Sequence, residues 1–403
     1  MVSLFVAPTF SGRLLADAKQ EDVSAATKRV SALGKVAKVT MDGNKLTEIV
    51  ISEGSQLTDA DFLLFGKLTD LTKLQVLNCR VLNTENIKAI SGLTALKSLS
   101  ITNTVIDDSA VEVIVKSFPN LTELDLSSNA NMSNQVMKSI SELKGLQTLS
   151  LLQNRLDDIG TRRLSKLKDL RVLDLRGNME AGDMTLGVLA ELPKLKALKH
   201  RSTAVTDYGL EMLSANGTIE NLLLQDFAIT DQSGQHLAKL SKLSQLEIFR
   251  CQGFGNEGVL ALRGLPLQRL TLRDLPVVGD SAMEVFKELP KLKRLYLHEL
   301  SSVSDEGLKS LSGAKAVELL DIWSVPNMTD ATLEVIAKLP NLKELSIRET
   351  GITNAGIDKL LTIGGIESLT LKENGAVTEE GLKKLLAKKW KKLDVGSTKP
   401  AQE

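Results

Sequence analysis

Few residues in this chain could do covalent or acid–base chemistry. Its 403 residues include three histidines, His200, His236 and His298, and two cysteines, Cys79 and Cys251. No His-Glu-x-x-His, no zinc-spaced cysteine pair, no phosphate-cradling Gly-rich loop and no Gly-x-Ser-x-Gly elbow occurs. Acidic pairs such as Asp107-Asp108 and Asp157-Asp158 stand where helices should begin. There a carboxylate acts as a cap and complements the helix dipole. No catalytic residue, metal or cofactor is expected, and the chain is read as a non-enzyme. The later half offers contact chemistry instead: Glu247, Phe249, Arg269, Arg273, Arg294, Tyr296, His298, Asp321, Trp323, Glu344 and Arg348. Arginine with tyrosine and tryptophan is the mixture that dominates interface energetics.

These residues occupy alternate positions of a repeat. L-x-x-L-x-L, with conservative exchanges, starts at Leu46, Leu74, Leu96, Leu121, Leu146, Leu170, Leu195, Ile219, Leu243, Leu267, Leu292, Val317, Leu342, Ile366 and Trp390. After a first 22-residue step between Leu74 and Leu96, every spacing is 24 or 25. Each unit continues into segments such as TDYGLEML, SDEGLKSL and TDATLEVI. The leading Thr or Ser suits a helix N-cap, and the apolar residues then recur at helical spacing. Pro119, Pro193, Pro290 and Pro340 stop the helix before the next strand.

One strand and one helix cannot bury a core alone, but stacked copies can. Parallel strands stack at ~4.8 Å and helices at ~8–10 Å. The helices must therefore lie outside a bend, which predicts an α/β horseshoe solenoid with parallel strands on its concave face. On that stacking Cys79 and Cys251, seven repeats apart, are roughly 34 Å from each other, beyond disulfide reach. Alternation sends the fourth and sixth residues of each unit into the core and the third, fifth and seventh onto the concave face. Cys79 and His200 are read as inward, His200 satisfied by a neighbour. Trp323, a seventh residue, is expected to be the most exposed large aromatic, with a local Arg348 stack as the alternative. Arg269 and Arg294 fall side by side, a like-charge pair that an acidic partner surface would relieve. Asp174 and Lys199 are expected to be lateral neighbours.

The 24–25-residue unit with its Thr-Asp-x-Gly-Leu helix starts resembles the leucine-rich repeats. It looks like the cysteine-containing, ribonuclease-inhibitor-like subtype seen in F-box leucine-rich-repeat proteins and bacterial relatives. The resemblance implies that Asn129, Asn154, Asn178 and Asn374 bond the turn leaving the strand, with Cys251, Thr104, Thr203 and Thr350 in the same place elsewhere. Leu275, Leu300, Val325 and Phe227 depart from the pattern and cannot make that bond.

The ends read as caps. Residues 1–22 form an N-terminal arm or signal remnant, and 23–45 a capping helix with Val23, Ala26, Val30 and Leu33 on one stripe, plus a hairpin at Asp42-Gly43. The solenoid spans 46–395, with Trp390 plugging its core, and 396–403 is a tail. The lysines of KKLLAKKWKK suit a helix C-terminus and a protected edge strand. Lys plus Arg equals Asp plus Glu at 50 each, which gives no field for nucleic acid. No apolar run is long enough for a transmembrane helix. The expectation is a monomeric, cytoplasmic, non-enzymatic scaffold that binds a protein partner, with export through a weak N-terminal signal as the alternative. By resemblance, a ubiquitin-ligase substrate-recognition subunit is a second reading. Glycan or small-ligand binding on the concave face is a third.

Overall fold

The computed structural model describes residues 18–396. The signal-like start and most of the expected tail lie outside that range. The chain divides between Asn131 and Met132 into two compact units.

The first unit opens with the helix Gln20–Ala32, whose Val23, Ala26 and Val30 are buried. Arg29 of this helix grips Asp61 with two hydrogen bonds, Nε to Oδ1 at 2.6 Å and Nη2 to Oδ2 at 3.0 Å. Asp61 also accepts the Thr58 amide at 2.8 Å, so one carboxylate ties the cap to the start of the next helix. Strands β1 (Ala37–Asp42) and β2 (Lys45–Ile51) form the antiparallel hairpin around Asp42-Gly43. Strands β3 (Lys73–Leu77), β4 (Ser98–Thr102) and β5 (Glu123–Asp125) then add in parallel. A helix follows each of β2, β3 and β4.

The pairing corrects one expected register. Ile49 faces Leu74, which faces Leu99. Leu74 is therefore the fourth residue of its unit, and the unit starts at Leu71. The steps Leu46–Leu71 and Leu71–Leu96 are then both 25, and the irregular 22 disappears. Cys79 becomes the ninth residue, fully buried at the turn, the place that Cys251 holds in its own repeat.

The second unit carries eleven strands: β6 (Thr148–Ser150), β7 (Val172–Asp174), β8 (Ala197–Arg201), β9 (Asn221–Gln225), β10 (Gln245–Phe249), β11 (Arg269–Arg273), β12 (Arg294–His298), β13 (Leu319–Val325), β14 (Glu344–Thr350), β15 (Ser368–Lys372) and β16 (Lys392–Asp394). All pair in parallel with their sequence neighbours. Helical turns connect them; Asp280–Glu288 is wholly a 3-10 helix rather than an α-helix. Leucines and isoleucines at the fourth and sixth positions fill the core, among them Leu320 and Ile322, both fully buried.

Most strands end in a residue with left-handed backbone at the eighth position. In the second unit Gln153, Asp226, Arg250, Asp274, Glu299, Ser324, Glu349 and Glu373 have φ between 49° and 61°. The L side chain tolerates this region only at a cost, which the turn's ninth residue helps to hold. Asn178 is fully buried there. Its Nδ2 donates to Leu151 O at 2.8 Å and Leu175 O at 2.9 Å, while Oδ1 accepts the Asn154 and Leu156 amides. Asn129 and Asn374 do the same in their repeats. At Leu195 the turn differs: Ser202, not the expected Thr203, is buried and donates to Met179 O at 2.8 Å. Leu275, Leu300, Val325 and Phe227 replace the bond with buried apolar bulk, as expected.

A second ladder runs along the helix starts. Asp183, Asp207, Asp280, Asp305 and Asp330 each accept the backbone N–H and hydroxyl of the Thr or Ser that leads into the next repeat's helix. Asp158 and Asp231 meet the amides of Gly182 and Gly255 instead, and Asn134, Asn256 and Asn354 take the same place with amide oxygens. Two residues after Asp158, Asp183, Asp207, Asp231, Asp305 and Asp330 stands Gly, Ser or Thr, and after Asp280 Ala282. A Cβ on Gly356 would stand 2.1 Å from Asp330 Oδ1, and on Gly209 2.4 Å from Asp183 Oδ1. Thr185 uses its hydroxyl on Asp158 instead, at 2.6 Å.

The C-terminal lysines behave as an end cap. Lys388 Nζ donates to Leu361 O at 3.0 Å, while Lys384 and Lys391 pair with Asp358 and Glu367. Trp390 is half-buried rather than a full plug; its indole N–H donates to Leu385 O at 2.9 Å.

Candidate partner-binding face

The expected contact residues all lie in the second unit, and the sheet register brings them together. Third positions give Arg269, Arg294, Leu319 and Glu344 in lateral succession; fifth positions give Glu247, Thr271, Tyr296, Asp321 and Ser346. Seventh positions give Phe249, Arg273, His298, Trp323 and Arg348.

The seventh row is a continuous stack. The Phe249 ring carries Arg250 at 4.5 Å and Arg273 at 4.3 Å from its centroid. Arg273 spans the intervening His298 strand to stand 5.1 Å from the Trp323 ring, which also carries Arg348 at 5.2 Å. His298 meets Trp323 and Tyr296 edge-on, with centroids at 5.6 and 5.9 Å. Each contact of this type contributes about 0.5–2 kcal/mol. The local stack foreseen for Trp323 therefore exists, and on both sides of the ring. Trp323 is half-buried beneath it, whereas Tyr208 is 57% exposed. The expectation that Trp323 is the most exposed large aromatic is corrected: flanking arginines cover what alternation alone leaves open.

Carboxylates hold the stacked arginines in place. Asp226 receives Arg250 at 2.7 Å and also Arg201; Glu299 receives Arg273 at 3.0 Å; Asp321 receives Arg348 at 3.1 Å. Burial pushes the Asp226 carboxyl up, but its two arginines outweigh that and hold it below the usual carboxylate range. Asp321 is likewise held low: burial raises it, and His298, Ser346 and Arg348 more than compensate. His298 Nε2 lies 3.4 Å from Asp321 Oδ2, close enough for an ion pair but off the line of a hydrogen bond.

The third row is differently placed. Arg269 lies over the Tyr296 ring at 4.7 Å, with Arg294 beside it in register, as expected. Among the described residues, Arg269, Arg294, Glu247 and Glu344 form no direct ion pair, although Arg294 lies in the field of Glu318 and Glu247 in that of Arg176. Between Tyr296 and the sheet's last strands a hollow is lined by Leu319, Asp321, Glu344, Arg348 and Lys372. Thr271 forms part of the floor of this face, 4% exposed, its hydroxyl without a partner.

Sequence reasoning missed Arg250, Glu299 and Asp226. They sit at eighth positions, where the left-handed turn breaks alternation and swings the side chain back beside the seventh row. Recurrence of an acid at that position in Asp226, Asp274, Glu299, Glu349 and Glu373 is the signal that could have found them. Lys199 stands beside Asp174 as expected, but Asp174 pairs with Arg176 at 2.7 Å. His200 is fully buried, its Nε2 2.8 Å from Ala181 O and Nδ1 3.3 Å from Leu175 O; burial lowers its pKa. It serves the core, in a sixth position that other repeats fill with leucine, isoleucine or valine.

A family model described as "Leucine Rich repeat" matches residues 119–140 and 338–361. No curated relative matches the chain. An internalin of Listeria monocytogenes superposes with a TM-score of 0.58 at 21% identity, over 86% of this chain and 94% of that one. A chain in the Rad7 and Elc1 complex of yeast superposes with a TM-score of 0.58 at 16% identity, over 90% of each. At such identities the likeness establishes the fold.

Proposed function

We propose that this leucine-rich-repeat protein is a non-enzymatic interaction scaffold that receives a protein partner on the strand face of its second unit. The footprint runs from Glu247 to Arg348. The observation that carries the reading is the row Arg250–Phe249–Arg273–Trp323–Arg348, an alternation of guanidinium and ring over five strands. Its side chains are already ordered, so little rotamer entropy remains to be lost on binding. Beside it the unpaired Arg269 and Arg294 suit an acidic group on the partner. The yeast neighbour is named as a complex of Rad7 with Elc1, which fits a scaffold role for the fold. Cys79 and Cys251 at equivalent turn positions fit the cysteine-containing subtype.

Affinity purification with the full chain tests this. Arg294→Glu and Trp323→Ala should each lose the same captured protein by more than tenfold, while Lys239→Glu, in the exposed turn after the helix Gln232–Leu237, retains it. Retention by all three variants places the partner elsewhere.

A second reading rests on the hollow lined by Tyr296, Leu319, Asp321, Glu344, Arg348 and Lys372, whose alternating charges suit a polar ligand such as a glycan. A glycan array that lights up wild type but not Glu344→Ala would favour it.

A further inference from the structure

A different surface of the second unit breaks the repeat's own rule. The second residue of each helix start is polar or small in most repeats: Gln135, Gln232, Glu257, Ser281, Glu306, Ala331 and Ala355. In three consecutive repeats it is large and apolar. Ile159, Met184 and Tyr208 are 64%, 59% and 57% exposed. The parallel bridge Asp157–Glu180 joins the first two of these helix starts, and Asp183, which accepts the Thr206 amide and hydroxyl, joins the second to the third. Water-exposed apolar groups of this size, contiguous and flanked by polar repeats, mark an interaction surface.

The charges beside the row say what covers it. Three residues on, on the same helical face, stand Arg162, Gly187 and Glu211. Arg162 and Glu211 are exposed and, among the described residues, neither has an ion-pair partner. The patch is thus basic at its Ile159 end, empty at its middle and acidic at its Tyr208 end. Such a polarity is self-complementary under a two-fold axis that lies in the interface and crosses the row at Met184. Ile159 then meets Tyr208 of the second copy, Met184 meets Met184, and Arg162 faces Glu211 twice. The Glu180 side chains approach each other at the rim, one repeat from Arg155, whose charge is also unpaired among the described residues.

We infer that this chain forms a weak homodimer through the Ile159–Met184–Tyr208 row, in place of the monomer that the sequence suggests. Three side chains and one charge pair per copy fall short of the ~800 Å² per partner of a standard interface, so association should depend on concentration.

Sedimentation of the full chain across micromolar to submillimolar concentration reads this directly. The average mass should rise from the chain's 43.7 kDa toward twice that value. Met184→Glu should hold it at the monomer; an acid in a helix's first turn suits the dipole, so the fold is kept, as a thermal melt will verify. Arg162→Glu and Glu211→Arg should each weaken association at least tenfold, and the two together should restore it. A monomer at all concentrations overturns the inference. So does a dimer that Met184→Glu leaves intact, which would use another surface, or a double swap that fails to restore association.

Discussion

Asp158 Oδ1 accepts both the backbone N–H of Thr185, at 2.8 Å, and its hydroxyl, at 2.6 Å, across a repeat boundary. It accepts the Gly182 amide at 2.9 Å as well. Asp158→Ala should strand two buried amides and lower stability by about 2–3 kcal/mol, read as a lower urea midpoint. An unchanged midpoint would mean that water replaces the carboxylate without loss.

Gly356 offers a test by sign. In an ordinary helix Gly→Ala is stabilising by up to ~1 kcal/mol. Here the added methyl would stand 2.1 Å from Asp330 Oδ1 and 2.9 Å from Leu333 Cδ1. Gly356→Ala should therefore lower the melting temperature, and a rise would show that Asp330 can leave its rung freely.

The Asp226 carboxylate gives a pH prediction. Its folded pKa lies below the unfolded value of about 3.9. Ionised Asp226 thus stabilises the fold fully above the unfolded value, and that contribution is lost as pH falls through the folded one. Asp226→Asn should cost roughly 2 kcal/mol at pH 7 and nothing measurable near the bottom of that fall. Urea titrations of both proteins at several pH values compare them; a gap that persists in strong acid would assign the loss to shape rather than charge.

Trp323 and Arg294 should separate stability from recognition. Trp323→Ala removes a half-buried ring from between two guanidiniums and should cost about 1–2 kcal/mol. Arg294→Ala, exposed and unpaired, should stay within ~0.5 kcal/mol. Equal thermal shifts for the two would contradict the stacked geometry.

Burial pushes the Cys251 thiol up to about 12, and the Cys79 thiol upward too. With the thiolate nearly absent at neutral pH, neither should react quickly with a thiol reagent until the chain unfolds. A fast-reacting equivalent in the native protein would place one of them at the surface.

Much of this was legible in the sequence because a 24- or 25-residue period leaves so little freedom. Once Leu99, Leu124 and Leu149 are aligned, the strands, the core and the contact face follow. The misplaced Leu74 shows the limit: Leu71, Leu74 and Leu77 are equally spaced, so composition admits two registers and only pairing with Ile49 decides. At the face, position was readable but exposure was not. Arg273 and Arg348 cover Trp323 through contacts that depend on side-chain reach, and Glu299 and Asp226 enter from turns that alternation does not describe. The aspartates were read as caps of their own helices. Asp107 and Asp157 are such caps, but the next residue, Asp158, reaches forward one repeat, a bond that no single repeat contains.

That forward reach has an evolutionary corollary. Asp183, Asp207 and Asp305 each present a carboxylate to a threonine amide and hydroxyl one repeat later, so these three have interchangeable neighbours. Excising or duplicating a stretch from one such aspartate to the next would leave no mismatched joint. The length of this protein can therefore change in whole repeats, by recombination within the gene, without any new packing having to be invented.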